Sequence, residues 1–300
     1  MLVVAALGGN ALLRRGESPD QCVQRHHVAE AATALAKVAA DHQLVVCHGN
    51  GPQIGMLALE SESDDQLTEA FTLDVLGAQT QGMIGYWLVQ ELANAGLPGP
   101  VAAIVTQTRV DPGDPSFAAP TKPIGPLYDE QRAQELASAH TWSIAPDSGG
   151  WRRVVPSPAP LTLVEEAVIA RLVAEGVTVV CGGGGGVPVV GEAGRLRGVD
   201  GVVDKDLTAA VLAAALGAER FVVLTDVPGV MRDFGTPDQE LVRELRVADI
   251  EPGDYPAGSM GPKLAACADF VRRTGRPAAI GSLEDAALLV AGEAGTAVSL

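Results

Sequence analysis

Only four lysines stand in this 300-residue chain, which carries 21 Lys and Arg together, so arginine supplies the other 17 cations. A composition that prefers arginine this strongly spares lysine where a compact ammonium charge does what a planar guanidinium cannot. Lys37 lies in the alanine-rich helical pattern Leu35-Ala36-Lys37-Val38-Ala39 and reads as a surface residue. The other three sit in glycine-, proline- or acid-rich turns: Thr121-Lys122-Pro123, Asp204-Lys205-Asp206 and Gly261-Pro262-Lys263. Ammonium groups so placed suit an anionic ligand.

Three glycine turns sharpen that to phosphate. Gly8-Gly9-Asn10-Ala11, His48-Gly49-Asn50-Gly51-Pro52 and the run Gly182 to Gly186 each follow an apolar, strand-like segment. Glycine lets backbone amides close around phosphate oxygens, and the positive end of a following helix adds to the attraction. No Gly-Lys pair occurs anywhere, which excludes a Walker A loop. The five glycines lead into Val187-Pro188-Val189-Val190, a strand pattern that argues against a dinucleotide-binding turn. Asp233-Phe234-Gly235 matches a protein-kinase string but lacks the His-Arg-Asp loop that should precede it. His48 reads as a structural histidine at a strand end. Asp206, at the start of a predicted helix, has two readings that stay open: a cap for that helix, or a carboxylate that positions the flanking lysines. Lys263 falls in the first turn of another helix, where its charge and the helix dipole act on the same anion.

The elements that must position these residues alternate. Strands are predicted at Leu2 to Leu7, Leu44 to Cys47, Val101 to Thr106, Val177 to Cys181, Phe221 to Thr225 and Pro277 to Ile280. Helices are predicted at Gln21 to Ala40, Leu67 to Ala95, Leu161 to Glu175, Asp206 to Leu216, Pro262 to Thr274 and Leu283 to Val290, several closed by a glycine. Such alternation predicts an α/β fold with a mostly parallel sheet covered on both faces, and a site beyond the carboxyl ends of the strands. Between Asp111 and Pro160 the texture changes: prolines cluster at both ends around a short helical stretch, Asp129 to Ser138, with Tyr128, Trp142 and Trp151 offering apolar surface. This reads as a small folded insertion from which Lys122 reaches over the sheet edge.

Net charge is −16, which excludes nucleic acid or an anionic membrane as partner, since both need a basic face. No run of eighteen apolar residues occurs and no basic segment precedes the first strand, so a soluble, untargeted cytoplasmic protein is expected. Cys22, Cys47, Cys181 and Cys267 stand singly and read as reduced core cysteines.

Taken together, Leu7-Gly8-Gly9-Asn10-Ala11-Leu12, Cys47-His48-Gly49-Asn50-Gly51-Pro52-Gln53, Thr121-Lys122-Pro123-Ile124-Gly125-Pro126, Arg153-Val154-Val155-Pro156-Ser157-Pro158, Val203-Asp204-Lys205-Asp206-Leu207 and Gly258-Ser259-Met260-Gly261-Pro262-Lys263 resemble the carbamate kinases of the amino-acid kinase superfamily. The motifs run in family order over nearly the whole chain. The resemblance implies a single domain over residues 1–300, a three-layer αβα sandwich with an open, mainly parallel sheet and a protruding subdomain over about 111–160. It implies a homodimer, with carbamate or carbamoyl phosphate on the part up to about 198 and ATP or ADP, with Mg²⁺ held through its phosphates, on the part from about 199. It implies that Gly8, Gly9, Asn10, Gly49, Asn50 and Gly51, joined by Gly183 and Gly184 of the glycine run, hold the phosphoryl group and the acid. Lys205 and Lys263 would bracket the phosphates, Asp206 would organise both lysines, and Lys122 would reach in from the subdomain. Thr225, Asp226, Tyr255 and Met260 are the nucleotide-pocket candidates. Related acylphosphate-forming kinases carry a lysine where this chain has Asn10, a gap that the subdomain lysine fills in carbamate kinases. Two alternatives stay open: another small-acid kinase of the superfamily, or a non-catalytic nucleotide-binding regulator.

Overall fold

The computed structural model describes residues 1–14, 16–147, 149–250, 255 and 260–300, and the side chain of Asn10 is outside the described set. Eight strands form the central sheet, in the spatial order Glu244–Arg246, Thr296–Ser299, Ala278–Ser282, Arg220–Thr225, Leu2–Leu7, Gln43–His48, Thr178–Val180, Val101–Ala103. Every pairing is parallel except that of Ala278–Ser282 with Thr296–Ser299. The central strands Leu-Val-Val-Ala-Ala-Leu and Gln-Leu-Val-Val-Cys-His are apolar on both faces, as a sheet with two helical covers requires.

Alternate residues divide between two cores. Val4, Ala6, Val45, Cys47, Phe221 and Val223 face one layer, with residues of the helices Lys205–Ala215 and Met260–Thr274, where Phe221 and Phe270 pack with centroids 5.5 Å apart. Val3, Ala5, Leu7, Leu44 and Val46 face the other, with the helices Gln21–Ala39, Leu73–Asn94 and Ala286–Ala291. The result is a three-layer αβα sandwich with an open, largely parallel sheet. Among the described residues no helix is long and apolar enough to cross a membrane.

Residues 122–155 build a separate three-stranded antiparallel sheet, Lys122–Tyr128, Gly150–Val155 and Ser143–Asp147, covered by the helix Glu130–His140. Asp129 starts that helix by accepting from the Arg132 amide. The unit rests on the helix Gly51–Glu62, where two glycines permit the contact. A Cβ added at Gly55 would sit 2.1 Å from Gly125 Cα, and Gly125 itself has φ +71°. At the far end Glu62 accepts from Arg153 Nη1 at 2.8 Å and from Trp142 Nε1 at 2.8 Å.

Several predicted boundaries move, for tertiary reasons. The strand expected to reach Thr106 stops at Ala103, because the buried Gln81 side-chain amide takes both the N–H and the carbonyl of Thr106 and turns the chain toward a second sheet. Of the expected helix over 161–175, Thr162–Leu163 instead pairs with Thr108 and Arg109, and the helix runs from Glu166 to Ala174. The long helix begins at Leu73 and not at Leu67; the Asp200 carboxylate accepts from the Leu73 amide, fixing its start. The edge strand Glu244–Arg246 and its neighbour Thr296–Ser299 are too short to give a periodic signal. Cys22 is exposed, contrary to the core position expected of it, because it lies on the outer face of Gln21–Ala39; Cys47, Cys181 and Cys267 are buried thiols.

The glycine contact makes a measurable demand. Gly55→Ala is expected to lower stability by about 1–3 kcal/mol through overpacking, read by urea unfolding. Gly82→Ala, where nothing lies within 4 Å of the added Cβ, is the control and should be neutral or stabilising by up to about 1 kcal/mol. Equal stability of Gly55→Ala and wild type would contradict the packing described.

Candidate functional site

The three central strands Leu2–Leu7, Gln43–His48 and Arg220–Thr225 end at one edge of the sheet, and their turns touch. Gly8 donates to the Leu224 carbonyl at 2.9 Å, and a Cβ on Gly8 would stand 3.1 Å from that oxygen and 3.8 Å from Thr225 Cα. A Cβ on Gly49 would sit 2.9 Å from both N and Cα of Gly9 and 3.2 Å from Lys205 Cε. The first two glycine turns and the Lys205 side chain are therefore in van der Waals contact, which the absence of side chains at Gly9 and Gly49 permits. Asn10 lies in the short 3₁₀ turn Gly9–Ala11, and Gly51 opens the helix Gly51–Glu62 with Pro52 at its start. Asn50 donates to Thr80 Oγ1 at 2.8 Å, which keeps it buried behind the turn.

The five glycines form a buried, tight turn whose missing side chains make room for others. Added Cβ atoms would overlap the His48 ring at Gly183 (2.4 Å), the Asn50 amide at Gly184 (2.1 Å) and the Val203 carbonyl at Gly185 (2.4 Å). Gly182, Gly184, Gly185 and Gly186 all have positive φ. The run thus locks the second glycine turn to the segment leading into Lys205. His48 is sealed beneath it with Nδ1 3.0 Å from the Gly49 carbonyl, and burial pushes its pKa down to about 4.

The helix Lys205–Ala215 aims the charges. Its cap is Asp204, whose Oδ1 accepts from the amides of Asp206 at 2.9 Å and Leu207 at 3.3 Å. The cap of this helix is therefore Asp204 and not Asp206, whose carboxylate instead contacts two lysines. Asp206 Oδ1 lies 2.6 Å from Lys205 Nζ and its Oδ2 3.5 Å from Lys263 Nζ, with the carboxylate side chain only 3% exposed. Burial pushes the Lys205 pKa down, the Asp206 charge opposes this, and the neighbouring Lys263 charge adds to the fall. From the separate sheet, Lys122 Nζ reaches Asp204 Oδ2 at 2.7 Å. Burial works against ionisation of Asp204, but the Lys122 and Lys205 charges outweigh it and hold this carboxyl well below the usual range. Lys122, Lys205 and Lys263, more than 50 residues apart in sequence, are thereby linked through two carboxylates.

The nucleotide-pocket candidates lie nearby to differing extents. Thr225 is buried at its strand's end beside Gly8, and its hydroxyl donates to Asp226 at 3.1 Å. Tyr255 and Met260 are partly buried against the core layer of the Met260–Thr274 helix, while Gly258 and Ser259 of the preceding motif lie outside the described residues. Sequence reasoning did not single out Asp204 as a site residue. Its one signal was an acid immediately before Lys205, two residues ahead of the predicted helix start at Asp206. Asp233-Phe234-Gly235 lies in the loop between the paired strands Val230–Arg232 and Glu240–Val242, with Phe234 69% exposed.

Glycine turns and ammonium groups at the carboxyl edge of a parallel sheet, with a small sheet overhanging them, define the amino-acid-kinase class of phosphotransferase. The amino acid kinase family model matches residues 1–282. The carbamate kinase of Rhizobium meliloti (strain 1021) is 47% identical over 304 residues, covering 100% of this chain and 93% of that protein. Two solved structures of carbamate kinase from Giardia lamblia superpose over 99% of this chain and 98% of their own: one bound to citric acid, with TM-score 0.93 and 38% identity, and one bound to AMP-PNP, with TM-score 0.88 and 39% identity. The chain belongs to the amino acid kinase family and, within it, to the carbamate kinases.

His48 sets a pH dependence of stability. Its pKa is depressed in the folded state from 6.5 to about 4, so as pH falls below 6.5 the unfolded chain takes up a proton that the folded chain refuses. Stability contributed by neutral His48 is present above pH 6.5 and is lost progressively toward pH 4, by about 3 kcal/mol in total. Urea unfolding of His48→Gln between pH 7 and 4.5 is expected to fall less steeply than wild type; parallel curves would refute this.

Proposed function

We propose that the protein catalyses reversible phosphoryl transfer between ATP and carbamate, ATP + carbamate = ADP + carbamoyl phosphate, and makes ATP from carbamoyl phosphate. The observation that carries this reading is Lys122, which arrives from the separate sheet to stand 2.7 Å from the carboxylate that caps the Lys205 helix. An ammonium supplied by the overhanging sheet answers the lysine that the first glycine turn lacks.

Carbamate is already an anion, so its oxygen attacks the γ-phosphoryl group without a general base. Catalysis reduces to alignment and charge neutralisation. Gly8, Gly9, Asn10, Gly49, Asn50 and Gly51 hold the acid and the phosphoryl group, with Gly183 and Gly184 backing them. Lys205 and Lys263 bracket the phosphates, Asp206 fixes both, and Lys122 neutralises charge from the acid side. Residues up to about 198 form the carbamate side, residues from about 199 the nucleotide side with Thr225, Asp226, Tyr255 and Met260, and the insertion 111–160 acts as a lid. Among the described residues no three metal-ligating side chains cluster, and the carboxylates of part-buried Asp204 and buried Asp206 are engaged by ammonium groups. Mg²⁺ would accordingly come with the nucleotide and would supply further charge neutralisation there. The protein acts in the cytoplasm as a homodimer; exposed Tyr86 and Val105, lining a groove at the Val101–Ala103 edge, support an apolar contact there.

ATP formation from ADP is expected with carbamoyl phosphate and not with acetyl phosphate or acetylglutamyl phosphate; the reverse preference would overturn the assignment. Lys205→Ala and Lys263→Ala are each expected to lower turnover by about 100-fold or more, and wild-type turnover in both would sink it. Lys122→Ala should impair use of carbamoyl phosphate more than ADP binding. An effect confined to ADP affinity would contradict its placement on the acid side.

A further inference from the structure

Asp204 does two things with two oxygens. Oδ1 receives the amides of Asp206 and Leu207, so the carboxylate is anchored to the first turn of the Lys205–Ala215 helix. Oδ2 receives the Lys122 ammonium at 2.7 Å. The side chains of Lys122 and Asp204 are 21% and 16% exposed, so the pair is shielded but open on one side.

The backbone around Asp204 is fixed independently of that pair. Val202 donates to the Pro156 carbonyl at 2.9 Å, a Cβ on Gly201 would lie 3.2 Å from the same oxygen, and Val202 packs with Ile124, Val155 and Ile54. The carboxylate therefore stands at a set position relative to both the Lys205 helix and the sheet that carries Lys122. Lysine has four rotatable carbons and about 2 kcal/mol of side-chain entropy, and left alone it samples many positions. An incoming phosphoryl anion meets the ammonium groups of Lys205 and Lys263 with Lys122 already held in place.

We infer that Asp204 is a positioning residue for the phosphoryl transfer: its carboxylate holds the Lys122 ammonium at the N-terminus of the Lys205 helix, beside Lys205 and Lys263, before substrate binds. This rests on the proposed activity for its consequence in catalysis, though not for the contact itself. The capping role and the positioning role separate cleanly by substitution, because Asn and Ser cap helices about as well as Asp but carry no charge for an ammonium.

The test is a double-mutant cycle of Asp204→Asn, Lys122→Ala and the pair, assayed as ATP formation from ADP and carbamoyl phosphate. Asp204→Asn is expected to lower kcat by roughly 10- to 100-fold, with KM for ADP held within about 2-fold and the fold retained by circular dichroism because the cap survives. Asp204→Ser should reproduce the loss. In the Lys122→Ala background the same substitution should cost less than about 2-fold, since a residue that acts through Lys122 has nothing left to act on. Multiplicative losses, or an unchanged kcat in both Asp204 variants, would overturn the inference. Should wild type fail to turn over carbamoyl phosphate, the proposed activity falls and the contact is read by urea unfolding of the same four proteins: non-additive stabilities support the Lys122–Asp204 hold and additive ones refute it.

Discussion

Two ammonium groups share one buried carboxylate, and the rest of the molecule is arranged to make that tolerable. Asp206 is all but sealed from solvent, 2.6 Å from Lys205 and 3.5 Å from Lys263. Each buried ion costs several kcal/mol in desolvation, and two like charges repel besides, which the carboxylate between them offsets. The lowered pKa of Lys205 records the strain: burial and Lys263 push it down while Asp206 opposes. Fixed dipoles and charges act strongly on a phosphoryl group where the dielectric is low.

Close backbone approach is the second condition. Gly9 and Gly49 let two strand ends meet against the Lys205 stem, and the glycine run lets His48, Asn50 and Val203 occupy space that side chains would otherwise fill. The five glycines therefore serve packing around the site, whatever their amides do with ligand. Neutral, sealed His48 follows from the same tight turn, which excludes the water that a charged imidazole would require.

The overhanging sheet closes the assembly through three attachments of different character. Gly55 and Gly125 are in backbone contact, Glu62 gathers Arg153 and Trp142, and Lys122 bonds Asp204. The first two tie the small sheet to the helix that begins at Gly51. The third ties it to the helix that begins at Lys205. One small sheet thereby bridges the helix that begins at Gly51 and the helix that begins at Lys205.

Much of this was legible from residue types alone. Continuous apolar runs such as Leu2 to Leu7, punctuated by glycine turns and helical periods, specify a parallel sheet with two covers, because only strands buried on both faces lack polar alternation. Lysine rarity, read against 17 arginines, picked out Lys122, Lys205 and Lys263 before any geometry, since composition carries information about which charge a position requires. Tertiary structure alone decided what those charges touch. Asp206 and Asp204 are two residues apart and both suit a helix start, and only the path of the chain shows that the latter caps while the former pairs with Lys263 from another helix. The bond between Lys122 and Asp204 spans 82 residues, and Gln81 ends a strand 25 residues away from it in sequence. Contacts of that range depend on packing between elements, which local propensity and periodicity do not encode.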